Sequence, residues 1–192
     1  MIFSRFSNYI VLKQIKKGLL SEDDQELYAY GYEVLLNQVA NLLMAILIGA
    51  IFSAWIEIII FMIIYLPIRS YCGGYHASTN ARCILVSSLL LLLVCILSGA
   101  FREYHTVMLE FIGVLVAGAI IFVLAPVEDA NKPLDEVEIH RYRWISRAIW
   151  AVQAVVWMIF SRINPDISFV IAISQVILSM MLFVGELKNT SG

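Results

Sequence analysis

His76 and Cys83 stand seven positions apart in the least apolar stretch at the centre of this 192-residue chain. Thiol chemistry runs through the thiolate, and a free cysteine with a pKa of about 8.5 is mostly protonated at neutral pH. A histidine within reach can take that proton, and a helix N-terminus can stabilise the anion that remains. On one continuous helix the pair would share a face but sit about 10 Å apart along the axis, beyond a hydrogen bond. The spacing works if His76 lies in a loop that folds back over a helix starting at Ser78, Thr79 or Asn80, all competent N-caps. With Asn80 as cap, Cys83 falls in the first turn, beside backbone amides that would also stabilise an oxyanion.

The other two thiols have weaker claims. Cys72 lies four residues before His76, but Gly73-Gly74 intervenes and disfavours a helical pair by about 1 kcal/mol per glycine. Those glycines suit a sharp turn or the close approach of a substrate backbone. Cys95 sits inside an apolar block, where a thiol is normally an inert hydrophobe. Glu33, Asn37 and Asn41 recur every four residues on one helix face. Such a stripe serves as helix–helix glue, or borders the site and orients His76. Arg69 and Arg82 flank the loop and read as headgroup anchors or substrate ligands. His105 and His140 add no metal-ligand spacing, so neither a metal nor a cofactor is expected.

The elements that position these residues follow from composition. Hydrophobic residues make up 61% of the chain and charged residues 15%, against about 45–50% and 25% in soluble domains. The apolar residues come in blocks, and the chain reads as an all-α polytopic membrane protein. The stretch from Val34 to Ile68 would be about 52 Å long as one helix, too long for a hydrocarbon core of about 30 Å, so it must break, and Ser53 is the expected break. Six membrane segments are predicted, over 34–52, 55–68 ending at Pro67, 83–99, 107–125, 144–160 and 167–184. Residues 1–31 read as an interfacial segment with an N-terminal amphipathic helix, in which the acidic run Glu22-Asp23-Asp24 is a solvated helix start capped by Ser21 or Asp23, with no cleavable signal pattern. The whole of 1–192 reads as one domain, with its helical bundle over 34–184. Glu57 and Glu110 fall near span boundaries and carry little weight at this stage.

With six spans and the N-terminus inside, ten of the 13 lysines and arginines lie inside, Arg102 and Arg162 lie outside, and Arg147 falls within a span. That bias predicts N-in/C-in, with the 69–82 and 126–143 loops on the cytoplasmic face. A net charge of −2 gives no reason to expect nucleic acid as a partner. A separate soluble catalytic domain has no room. His-Glu-x-x-His and Gly-x-Ser-Gly patterns are absent from the sequence, which removes the metal and serine intramembrane proteases. A transporter should show facing ionisable residues at mid-membrane, often in inverted halves, and neither is visible. A non-catalytic small polytopic protein, a transporter or assembly factor, remains the alternative.

Arg69, then Gly73-Gly74-Tyr75-His76-Ala77, then Cys83 resembles the signature of the accessory gene regulator B (AgrB) family, membrane endopeptidases that process quorum-sensing propeptides. Ala125-Pro126, Lys132-Pro133 and the basic Arg141 and Arg143 extend the likeness, and the size and multi-span layout agree over nearly the whole chain. The resemblance implies Cys83 as nucleophile and His76 as general base, with Arg69, Gly73 and Gly74 at supporting positions. Asn80 and Arg82 flank the nucleophile. Lys132 would belong to a substrate-contacting basic loop, here mixed with Glu128, Asp129, Asp135, Glu136 and Glu138. The family activity implied is removal of the C-terminal tail of an AgrD-like propeptide through a thioester acyl-enzyme. An internal Cys or Ser of the peptide then closes a thiolactone or lactone. A homodimer in the plasma membrane of a bacterium, among membrane lipid and with the site toward the cytoplasm, is the setting implied.

Overall fold

The computed structural model describes residues 2–75, 77, 79–101, 106–128 and 134–190. Seven α-helices run through them: α1 (Ile2–Lys16), α2 (Gln25–Phe52), α3 (Trp55–Cys72), α4 (Asn80–Ala100), α5 (Val107–Leu124), α6 (Glu136–Ile163) and α7 (Pro165–Thr190). Six of these, from α2 to α7, are long and apolar enough to cross a membrane. The protein is an all-α polytopic bundle, as its hydropathy blocks predict. Its outer surface carries bare aliphatic side chains such as Ile51, Ile63 and Val123. Hydrocarbon solvates such a surface and water does not.

The centre is α7. Its apolar window is 56% buried, against 17–33% for the other five spans, and it packs on α3, α5 and α6. Small side chains make that possible: Ser168, Ala172, Ser174, Ser179 and Gly185 of α7 are all buried. Between helices in lipid, close backbone approach replaces the hydrophobic driving force. Gly118 of α5 shows the tolerance, since a Cβ there would stand 2.3 Å from the Trp150 ring of α6.

The break at Ser53 is present, with the residue in the left-handed conformation at φ 51° closing α2. Among the boundaries that differ from expectation, α7 runs on to Thr190, past residue 184, and three others have visible causes. The helix of the first span begins at Gln25, about two turns before residue 34, because Ser21 caps a short 3₁₀ turn over Glu22–Asp24 that feeds directly into it. Helix α3 does not stop at Pro67 but continues to Cys72. Proline removes one donor, and a membrane helix tolerates that where the next turn packs: Ile68 and Cys72 are fully buried. Helix α6 starts at Glu136, two turns before residue 144, on a capping box in which Asp135 and Glu138 bond reciprocally. Hydropathy marks where lipid begins, and polar capping marks where helix begins.

At the end of the bundle away from Cys83, Glu110 is only 5% exposed. It accepts from Trp157 Nε1 at 2.9 Å and from Ser168 Oγ at 2.7 Å, tying α5, α6 and α7 together. The boundary position given to Glu110 by the sequence concealed this role. A carboxylate at such depth must be partnered.

Candidate functional site

Cys83 lies one turn into α4. The helix is capped by Thr79, whose Oγ1 accepts from the Arg82 N–H at 3.3 Å. Thr79 is one of the three caps that the sequence offered; Asn80 is the first helical residue, and its side chain reaches across to α2, donating to Glu33 Oε1 at 2.6 Å. A cap at Thr79 and not at Asn80 changes the amide supply. The Cys83 N–H donates to Thr79 O at 2.9 Å, so it closes the first helical bond and is not available to an oxyanion.

A side chain from α2 stands in that vicinity. Asn37 Nδ2 donates to Cys83 Sγ at 3.4 Å, and Asn41 Nδ2 donates to the Asn37 backbone carbonyl at 3.0 Å. Within the Glu33–Asn37–Asn41 stripe the described contacts run to α4 and to the sulfur, while the expected orienting of His76 falls on a residue outside the described ones. Glu33 and Asn37 join α2 to α4, and Asn37 touches the candidate nucleophile. The three thiols also separate: Cys72 and Cys95 are buried, whereas Cys83 is partly open.

The glycine pair forms a clamp between helix ends. Gly73 ends α3 at φ 69° and pairs with Val127 in a short parallel bridge, and Gly74 follows at φ 105°. Both conformations suit glycine, and space is equally decisive at Gly73, where a Cβ would meet Val127 O at 2.0 Å. The Val127 N–H donates to Cys72 O at 2.8 Å, and the Tyr75 N–H donates to Met181 O of α7 at 2.9 Å. Arg69 Nη2 donates to the Tyr75 carbonyl, so this arginine holds the loop's backbone. Lys188 Nζ lies 5.5 Å from the centre of the Tyr75 ring, and Asn189 Nδ2 donates to Glu128 O at 2.7 Å. The last turns of α7 thus gather the 73–75 and 125–128 segments, an arrangement that the sequence reading did not anticipate.

Of the remaining sequence candidates, Arg82 sits in the first turn of α4, beside Cys83, with its backbone committed to the cap. His76 and Lys132 lie outside the described residues. Among the described residues no group of His, Cys, Asp and Glu is arranged to hold a metal ion.

The profile of the family described as Accessory gene regulator B matches residues 4–183. The chain belongs to that family. A Clostridium perfringens (strain 13 / Type A) protein named as AgrB-like protein 2 is 26% identical over 131 residues, covering 65% of this chain and 61% of the relative. A protein of C. perfringens strain SM101 named as AgrB-like is 27% identical over 115 residues, or 57% and 54%. The matched part thus spans between half and two thirds of each relative's length. No solved structure matches the chain.

Proposed function

We propose that this AgrB-family chain is a cysteine endopeptidase that trims and cyclises an AgrD-like propeptide at the cytoplasmic face of a bacterial plasma membrane, acting as a homodimer. The observation carrying the reading is the contrast among the thiols. Cys83 alone of the three is partly open, and it carries an amide donor on its sulfur at the end of the bundle where the glycine-clamped backbone is fixed. A packing thiol has no use for either feature.

In this mechanism His76 takes the Cys83 proton. The sulfur lone pair forms a bond to the scissile carbonyl carbon, and the π pair moves to oxygen. Collapse restores the carbonyl and breaks the C–N bond, and the proton passes from His76 to the leaving amine of the tail. An internal thiol or hydroxyl of the peptide then displaces Cys83, closing the ring and returning the nucleophile. Exchanging an amide for a thioester is uphill, so the ring accumulates only as tail or product is removed. Water must stay out of the acyl-enzyme, which a precursor docked over a shallow membrane-surface site achieves. Arg69, Gly73 and Gly74 hold the loop before His76, and Lys132 contacts the precursor.

The test is mass spectrometry of the propeptide after incubation with the protein in lipid vesicles. Wild type yields the free tail and a ring lighter by one water than the linear product. Cys83→Ala yields neither, and His76→Ala slows both steps by at least about 10²-fold. Continued trimming by Cys83→Ala overturns the proposal.

A further inference from the structure

We infer that Asn37 of α2 is a catalytic residue, its carboxamide N–H serving as the oxyanion donor for the acyl transfer at Cys83. The inference rests on the endopeptidase reading and adds a residue to it. Acyl transfer places negative charge on the carbonyl oxygen, one bond from the carbon that the sulfur attacks, and needs a fixed donor there. The usual source is the backbone N–H of the nucleophile, but the Cys83 N–H is held by Thr79 O at 2.9 Å. The Arg82 N–H is likewise held by Thr79 Oγ1 at 3.3 Å.

Asn37 Nδ2, 3.4 Å from Cys83 Sγ, lies within a small swing of where that oxygen forms, and an NH₂ group has two hydrogens to offer. The Glu33–Asn80 bond of 2.6 Å ties α2 to the first turn of α4, about one helical turn from Asn37, and so fixes the helix face from which the carboxamide reaches the sulfur. The Asn37 Oδ1 atom is buried with no hydrogen-bond partner among the described residues.

In the step itself the sulfur–carbon bond forms while the carbonyl π pair moves onto oxygen, where the Asn37 N–H holds it. The pair returns as the C–N bond breaks and the amine leaves with the proton that the thiol gave up. No other reactant is consumed.

The experiment uses the full chain in lipid vesicles with two probes, the propeptide and a peptide aldehyde carrying the sequence before the cleaved bond. Cys83 adds to the aldehyde, forming a hemithioacetal whose oxygen occupies the oxyanion position. Asn37→Ala is expected to lower kcat by about 10²-fold with KM within about threefold, and to weaken the aldehyde by a comparable factor. Binding of the uncleaved propeptide to a Cys83→Ala background stays within about threefold. Asn37→Asp keeps size and acceptor but lacks the donor, and falls at least as far. Should neither variant fold, a structure of the wild-type aldehyde adduct decides. Asn37 Nδ2 within hydrogen-bond distance of the adduct oxygen supports the inference, and a longer separation overturns it. Asn37 variants that keep kcat and aldehyde affinity, beside an inactive Cys83→Ala, overturn the inference and leave the endopeptidase reading standing. An active Cys83→Ala overturns both.

Discussion

Gly185, in α7 and far from Cys83 in sequence, is expected to control the rate of cleavage while contributing little to stability. A Cβ at position 185 would stand 2.5 Å from the Gly74 carbonyl carbon and 2.6 Å from the Tyr75 nitrogen, where ordinary contact begins at 3.4 Å. Both atoms are backbone, so no side chain can rotate away, and the 73–75 segment must withdraw by about 1 Å. That movement pulls the Tyr75 N–H off Met181 O, the bond that now fixes the segment to α7. For Gly185→Ala the lost bond costs about 1 kcal/mol, and replacing glycine by alanine within a helix returns about 1 kcal/mol. Thermal unfolding should therefore move by only a few degrees. The rate should not be spared, because a displacement of about 1 Å in a positioning segment costs about 10²-fold, or about 2.7 kcal/mol in the barrier. The assay pairs initial rates of tail release in vesicles with a thermal unfolding scan in detergent. Wild-type rates from a folded Gly185→Ala protein would refute the reasoning and free the 73–75 backbone from any part in catalysis.

Two further expectations concern groups away from the sulfur. Glu110→Ala removes the acceptor for Trp157 Nε1 while Ser168 Oγ keeps its bond to Pro165 O, so the protein should lose about 1–3 kcal/mol. Glu110→Gln, which retains an acceptor oxygen, should lose less, and equal unfolding temperatures for wild type and both variants in detergent would contradict the assignment. Cys72→Ala should leave tail release within about threefold of wild type, since this thiol is fully buried, and in wild type an alkylating reagent should label Cys83 far ahead of Cys72 and Cys95. Loss of cleavage in a folded Cys72→Ala protein would return Cys72 to contention as nucleophile.

The spans were readable because lipid imposes one rule at every depth: backbone polar groups must be satisfied within the helix, so hydrophobic blocks are helices and their breaks are turns. Ser53 was legible on that basis. The helical start that leads into α2 was legible in its acidic run and the Ser21 cap, whereas the start of α6 was not, because Glu136–Arg143 are polar turns of helix extending past the apolar window, with their limit set by Asp135 and Glu138. Pro67 misled for the converse reason. The rule that proline ends a helix comes from water, where freed backbone groups are solvated, whereas in α3 the turns after it are held by packing at Ile68 and Cys72.

The site divides along the same physical line. A polar side chain at membrane depth is costly unless partnered, so the four-residue spacing of Glu33, Asn37 and Asn41 told that partners exist on one face. It did not name them, because Asn80 is 47 positions from Glu33 and Cys83 is 46 from Asn37. Glu110 carried the same signal, with partners 47 and 58 positions away. Gly185 gave no signal, since a glycine that admits another segment's backbone looks in sequence like one that admits a neighbouring helix. An intramembrane polar residue thus announces a contact whose identity only the fold supplies. At Asn37 that contact is a sulfur atom, and a donor spent on a neutral thiol gains little. The donor gains most when charge appears beside it, which is why an interaction first legible as helix glue makes better chemical sense as part of a reacting centre.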